Sequence, residues 1–249
     1  MTFDLVIPVY NPSANWEISL AKNLDSLVKD SHLQISLGRI IIVNDGSLAT
    51  FTSKEIDFFL TCDLPIEIIG YAQNRGKGFA LREGVKRSTN DYCIYTDADM
   101  PFGVDSIMLI AENLQNGFDI VAGCRNKDLY FSKAPLKRKI ISKILMTINK
   151  YVLNLSLDDT QAGIKGFNSY GRELFLKTTI ESFLFDLEFI LLAASIQQLN
   201  IGSVNVMPSP EIELSSFKTR VLIQESLNLC KIVFKRKKIM DVKKDIAWI

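Results

Sequence analysis

"GRIIIVNDGS", residues 38–47, decides the fold. Ile40, Ile41, Ile42 and Val43 form an unbroken β-branched run. A strand with one wet face alternates apolar and polar residues; a continuous apolar run is covered on both faces, as in a parallel sheet flanked by helices. The run stops at Asn44-Asp45-Gly46-Ser47, a cluster of turn formers. Working outward, "FDLVIPVY" (3–10), "IEIIGYA" (66–72), "YCIYTDAD" (92–99) and "FDIVAGCR" (118–125) have the same character. Helical spacing lies between them: Trp16 to Lys29 with Ile18, Leu20, Leu24 and Leu27, then Thr52 to Leu60, Lys77 to Ser88 and Asp105 to Asn116. This order predicts a doubly wound α/β fold, a Rossmann-like, mostly parallel sheet flanked by helices.

The second half is more varied. Residues 133–155 read as a basic, then apolar, helical segment. "DDTQAGIKGFN" (158–168) reads as a loop leading to a short strand, and "FDLEFILLAASIQQ" (185–198) as a helix. "IGSVNVMPSPEIEL" (201–214) reads as extended, its two prolines favouring a sheet edge. "TRVLIQESLNLCKIVFKRKK" (219–238) reads as a basic amphipathic helix.

With 249 residues, 47% hydrophobic and 23% charged, the chain has ample material for a core. Its formal net charge of +1 gives no global attraction to nucleic acid. The four cysteines have no metal-ligand spacing, and they read as free thiols in a reducing compartment. His32 and the cysteines carry no functional assignment. The longest uncharged apolar run, from Phe189, is too short and polar to span a bilayer. The expected location is the cytoplasm, either free or peripheral at the membrane face.

In an open parallel sheet, ligands bind beyond the carboxyl ends of the strands. The polar residues gather at those tips: Tyr10-Asn11, Asn44-Asp45, Asn74 with Arg75-Gly76-Lys77-Gly78, Asp97-Ala98-Asp99 and Arg125. Each has a plain alternative. "NDGS" is a good turn after any strand, "NRGKG" lacks Walker spacing, and Asp97 or Asp99 suits a helix cap before Pro101. A cap needs one acid, however. Two close carboxylates beside a diphosphate suit Mg²⁺ or Mn²⁺, with Lys77 and Arg125 adding contacts to phosphate.

In this order, "VIPVYN", "VNDGS", "NRGKGFALREG" and "YTDADM" resemble the nucleotide-sugar half of inverting family 2 glycosyltransferases with the GT-A fold. "GCR", "LKRKIIS", "DTQAGIKGF", "FDLEF" and "EIELSSFKTR" resemble the branch that makes polyprenyl-phosphate sugars, the dolichyl-phosphate glucose and mannose synthases. The resemblance implies a single GT-A domain over 1–249: a nucleotide-sugar half (1–125), an acceptor half (126–215) and a closing segment with the basic helix (216–249). It implies that Asp45 binds base or ribose, with Pro8 and Tyr10 lining that pocket. Asp97 and Asp99 would hold metal, ribose and diphosphate. Arg125, Arg138 and Ser142 would hold the acceptor phosphate, and Gln161 and Lys165 would lie by the reacting sugar. Lys218 and Arg220 would close over the diphosphate. The donor set is Pro8, Tyr10, Asn11, Asp45, Lys77, Asp97, Ala98, Asp99, Lys218 and Arg220; the catalytic set is Asp97, Asp99, Arg125, Gln161 and Lys165. Pro12 replaces the family's usual Glu, and Pro101 replaces the extra metal ligand of the mannose branch.

The function so implied moves a hexose from a UDP- or GDP-linked sugar to a polyprenyl phosphate. A phosphate acceptor needs basic residues, because phosphate monoesters are largely ionised above their second pKa of about 6. A hydroxyl acceptor in glycan assembly needs a general base. Arg138 and Ser142, four residues apart on one helix face, serve the first reading, or form an ordinary solvated helix start. Asp186 or Glu188 serves the second, or anchors a buried cation such as Lys165. The last helix serves either a membrane surface or the core. Phe183, Phe185 and Phe189 read as core. A third reading is a nucleotide-binding module without turnover.

Overall fold

The computed structural model describes residues 1–29, 35–126, 135–153, 155, 159–208 and 219–241, with the side chains of 152, 219–220 and 235–241 excepted. Among these residues a seven-stranded sheet runs in the order β3-β2-β1-β4-β6-β5-β7. Its strands are β1 (Thr2–Val9), β2 (Ser36–Asp45), β3 (Ile66–Tyr71), β4 (Tyr92–Tyr95), β5 (Ile120–Arg125), β6 (Lys165–Phe167) and β7 (Ile201–Val206). The helices are α1 (Trp16–Lys29), α2 (Ser53–Thr61), α3 (Lys77–Arg87), α4 (Gly103–Gln115), α5 (Leu136–Thr147), α6 (Ser169–Leu176), α7 (Phe185–Ala194) and α8 (Thr219–Asp241).

The continuous apolar runs serve two cores at once. Alternate residues of β1, Phe3, Leu5, Ile7 and Val9, pack with Ile40 and Ile42 of β2 and with Trp16, Leu20 and Leu24 of α1. Val6, Ile41 and Val43 point to the other face, against Ala80, Leu81 and Val85 of α3. A second aromatic layer on that face stacks Tyr95, Phe167, Phe175, Phe185 and Phe189. Local chemistry fixes some ends. Thr52 and Glu55 form a reciprocal capping box at the start of α2.

β1 pairs with β2 and with β4 in parallel, and the order reverses at β1 and β4, so the switch-point crevice opens between their carboxyl ends. β4 pairs only with residues 3–6 of β1, so beyond Val6 the two strands part. Pro8, which has no N–H, therefore sits where β4 no longer pairs.

β6 is antiparallel to both β4 and β5, and Lys165 lies opposite Tyr95 and Ala122. Because β6 runs backward, the chain entering it, residues 159–164, lies along the same carboxyl edge. β7 occupies the sheet edge beside β5. Three features depart from the expected elements. β4 ends at Tyr95, before the two acids. A π-helical turn, Ile148–Val152, follows α5. Helix α6, capped by the Asn168 side chain on the Gly171 N–H, was not expected. It holds few buried positions, too few for a visible period.

Candidate active site

The acids after β4 do not cap α4. The N-cap position is Phe102, and no side chain caps it. Instead Asp97 to Met100 form a turn closed by Met100 N–H to Asp97 C=O at 2.9 Å. Met100 takes a positive φ of 42° there. Asp97 Oδ1 meets Lys77 Nζ at 2.5 Å. Burial weakens the Lys77 ammonium, but Asp97, Asp186 and Asp99 outweigh it and hold the lysine charged. Asp99 sits exposed on the turn. Partial desolvation by the surrounding chain, and then the neighbouring Asp97 charge, push its carboxyl up. Two carboxylates that repel each other while facing a single ammonium are short of positive charge.

That shortage is the test of whether a divalent ion suits the site, and the residues fit. Among the described residues no cluster of three or more His, Cys, Asp or Glu forms a cage. Asp97 and Asp99 would hold Mg²⁺ or Mn²⁺ by one or two carboxylates, leaving positions for phosphate oxygens and water. Gly163 keeps space there. A Cβ at 163 would lie 2.2 Å from Asp97 Oδ2 and 3.0 Å from Lys77 Nζ.

The glycine-rich stretch 75–78 does other work than its composition hints. Gly76 adopts φ +100°, and a Cβ there would strike the Glu181 carbonyl at 2.5 Å. The N–H groups of Gly78 and Phe79, at the amino end of α3, donate to that same carbonyl at 2.7 and 3.2 Å. These donors of the helix start are thus tied to the 180–182 loop, and Lys77 presents its side chain to the crevice. Asp45 organises the approach. Its Oδ1 accepts from Tyr71 Oη and Arg75 N, and its Oδ2 from Asn74 Nδ2 and Gly76 N, all within 2.9 Å.

Two cavities adjoin at this edge. The larger, about 540 Å³, is lined by Pro8, Tyr10, Asp45, Asn74, Lys77 and Asp97, and by Phe183 and Glu225. The smaller, about 190 Å³, is lined by Lys77, Asp97, Arg125, Arg138, Ser142, Asn149, Asp159, Gln161 and Gly163, and again by Phe183 and Glu225. The expected donor residues Pro8, Tyr10, Asp45, Lys77 and Asp97 therefore share one space. Arg125, Arg138, Ser142 and Gln161 share the other. Asn11 lies beside the first, its N–H held by Ser47 Oγ at 2.8 Å. Ala98 packs toward the α1–α4 core. Lys218, and the side chain of Arg220, lie outside the described residues.

Lys165 sits apart from this set. It is fully buried and is not among the residues lining either cavity. Its Nζ donates to Asp186 Oδ1 at 2.7 Å and to the Ala162 carbonyl at 2.9 Å. Tyr95 Oη also donates to Asp186 Oδ1. Burial, then Asp186, pushes the Tyr95 phenol far above its ordinary range. Glu188 accepts from the N–H groups of Thr179 and Ile180 and from Thr179 Oγ1, each at 2.8 Å. Both acids of the 185–189 run therefore have structural partners.

Four residues escaped the sequence reading. Asp159 grips Arg125 through two contacts, Nε at 2.7 Å and Nη2 at 2.9 Å. Burial raises the Asp159 carboxyl, but the hydrogen bonds and charge of Arg125 outweigh it and hold it low. Asn149, in the π-helical turn, donates to Thr160 Oγ1 at 3.1 Å, and its own Oδ1 is buried without a partner. Glu225 of α8 accepts from Leu184 N at 3.0 Å through Oε2, and its Oε1 is also buried without a partner. Phe183, read as core, is 45% exposed and lines both cavities. The adjacent acids of "DDT" were the visible signal for Asp159; the π turn left none for Asn149.

Comparison with known proteins agrees with this architecture. The sequence profile of Glycosyl transferase family 2 matches residues 4–182. The chain is 33% identical over 222 residues to a dolichyl-phosphate beta-glucosyltransferase of Dictyostelium discoideum, covering 82% of this chain and 65% of the relative. It is 29% identical over 210 residues to the Saccharomyces cerevisiae protein of the same name, covering 76% and 61%. It thus spans less than two thirds of either relative's length. A solved structure of glucosyl-3-phosphoglycerate synthase from Mycobacterium tuberculosis, in complex with Mn²⁺, UDP-glucose and phosphoglyceric acid, superimposes with a TM-score of 0.65 at 17% identity. That match covers 94% of this chain and 79% of the other, and at this identity it speaks for the fold. The chain belongs to glycosyltransferase family 2.

Proposed function

We propose that this family 2 glycosyltransferase moves a hexose, with inversion, from a nucleotide sugar to a polyprenyl phosphate. The observation that carries the reading is the pair of cavities meeting at Lys77 and Asp97. The larger takes the nucleotide, against Pro8, Tyr10 and the Asp45-ordered loop. The diphosphate lies at Asp97, Asp99 and Lys77. When bound there, Mg²⁺ or Mn²⁺ supplies positive charge to the diphosphate oxygens. The names of the curated relatives and the Mn²⁺–UDP-glucose complex of the solved structure support this assignment.

The smaller cavity takes the acceptor phosphate, against Arg125, Arg138 and Ser142, with Gln161 beside the reacting sugar. A phosphate oxygen forms the new bond to the anomeric carbon. The bond from that carbon to the nucleoside diphosphate breaks, and its electron pair leaves with the diphosphate. No proton has to be removed, which suits a site whose nearby acids, Asp186 and Glu188, already hold partners. Lys77 stabilises the charge that develops on the leaving group. Lys165 acts one layer behind, fixing Asp186 and the Ala162 carbonyl.

A lipid acceptor requires a lipid surface. Both helices that wall the smaller cavity carry exposed apolar stripes at helical spacing: Leu136, Ile140 and Ile144 on α5, and Ile223, Leu227 and Phe234 on α8. Among the described residues no helix is long and apolar enough to cross a membrane. These stripes fit an amphipathic attachment at the bilayer interface. The test is incubation of radiolabelled UDP- and GDP-hexoses with polyprenyl phosphate in vesicles. A lipid-extractable, mild-acid-labile product is expected. Absence of that product with every common donor would overturn the reading.

A further inference from the structure

Between a diphosphate and an acceptor phosphate only one group can stand, the hexosyl unit in transfer. Five residues line both cavities: Lys77, Asp97, Phe183, Val221 and Glu225. Lys77 and Asp97 hold each other. Phe183 presents an exposed ring, and Glu225 adds a carboxylate with one oxygen fixed and one idle.

The idle oxygen is informative. A carboxylate oxygen accepts hydrogen bonds and, ionised, cannot donate. Leaving it buried and unmatched is unfavourable, so such groups in native structures call for an explanation. Glu225 Oε2 is held by the Leu184 N–H, which fixes the side chain while Oε1 stays unmatched. With the metal ion assigned to Asp97 and Asp99, the partner left for this oxygen is an O–H or N–H donor, and a phosphate oxygen is neither. A hexose presents several hydroxyl donors around a ring whose C–H faces suit an aromatic surface. Phe183 and Glu225 together offer both kinds of contact at the junction.

We propose that Glu225 is a specificity-determining residue that accepts a hydrogen bond from a hydroxyl of the transferred hexose, with Phe183 against the ring. This rests on the donor reading given above and adds the group that recognises the sugar as distinct from the nucleotide. It also assigns a role to α8, the first turns of which contribute Val221 and Glu225 to the walls. Oε1 has almost no exposed surface in this structure, so the contact requires α8 to shift as the sugar enters.

The test is E225Q, which keeps a carbonyl oxygen for the Leu184 N–H and turns an NH₂ group toward the junction. Affinities for UDP, GDP, UDP-glucose and GDP-mannose are measured by calorimetry with Mn²⁺ on wild type and variant. The expected result is unchanged affinity for the nucleoside diphosphate and a nucleotide-sugar affinity about 10- to 100-fold weaker, the loss of one hydrogen bond to a charged acceptor. An unchanged ratio of the two affinities would overturn the assignment. So would a parallel loss of both, which would make Glu225 a support of the fold. Wild-type protein that binds nucleoside diphosphates but no nucleotide sugar would overturn the donor reading itself, and the assignment with it.

Discussion

The strand pair β1–β4 has acids at both ends, and they are treated oppositely. At the amino end, Asp4 is completely buried and surrounded by donors. Its oxygens accept from Arg39 N, Ser88 Oγ, Thr89 N, Asn90 N and Asn90 Nδ2 at 2.6–3.0 Å. At the carboxyl end, Asp97 has the Lys77 ammonium as its ion-pair partner, and burial and then the Asp97 charge push the exposed Asp99 carboxyl up. An acid saturated by its own chain holds structure. An acid left short of positive charge at a crevice awaits a ligand. By the same measure Asp45, Asp159, Asp186 and Glu188 belong with Asp4, although Asp45 and Asp159 line the cavities. Their contribution is to fix neighbouring segments: the 74–76 loop by Asp45, Arg125 by Asp159, Lys165 by Asp186 and the 179–180 backbone by Glu188.

The largest expected effect separates the two ends directly. Asp99→Asn should reduce hexose transfer by at least about 100-fold, the scale of losing transition-state charge stabilisation. Its thermal midpoint should stay near wild type, because an exposed side chain away from packed contacts contributes within about 0.5 kcal/mol. Asp4→Ala should do the reverse. Orphaning the buried N–H groups of Arg39, Thr89 and Asn90 should cost about 3 kcal/mol in denaturant unfolding, with transfer per folded molecule preserved. Equal stability in these two variants would break the contrast.

The pH response sharpens it further. Burial pushes the Asp4 carboxyl up, but the hydrogen bonds from Asn90, Arg39 and Thr89 outweigh it and hold it below its ordinary value. A depressed folded-state pKa contributes stability that is fully present above the unfolded value of about 3.9 and lost as pH falls through the folded one. Wild type should therefore lose stability on acidification over that window, and Asp4→Asn should show a flatter profile in thermal melts. A smaller effect is expected at Glu188→Gln. Weakened hydrogen bonds to Thr179 and Ile180 should lower stability by about 1–2 kcal/mol and leave transfer within a fewfold. Abolished transfer with intact donor binding would instead mark Glu188 as the base of a hydroxyl-acceptor enzyme.

Much of this contrast was legible in the sequence. The runs at Leu5–Val9 and Ile40–Val43 specify strands buried on both faces, and chain order then places Tyr10, Asp45, Lys77, Asp97 and Arg125 on one edge. Spacing along one helix paired Arg138 with Ser142. What escaped depends on contacts between distant segments. Asp159 meets Arg125 only because β6 runs antiparallel between β4 and β5, and three residues of strand are too few to announce their direction. Nothing in the sequence marked Glu225, which meets the 182–184 loop only because α8 settles over it. The resemblance placed Lys165 by the reacting sugar, and its buried partner, Asp186, was one of two candidates. Phe183, two residues from the buried Phe185, differs from it only in where the helix begins.

In the proposed reaction Asp97 and Asp99 form a seat completed by a divalent ion and a nucleotide diphosphate. The direct measurement is the thermal midpoint of wild type and Asp99→Asn with UDP- and GDP-sugars, each with and without Mn²⁺. A ligand that binds only the folded state at 100 times its Kd adds about 2.7 kcal/mol of stability. One nucleotide sugar should raise the wild-type midpoint only when Mn²⁺ is present, and the rise should vanish in Asp99→Asn. An equal rise without the metal, or an undiminished rise in the variant, would show that Asp97 and Asp99 do not seat a metal with the diphosphate.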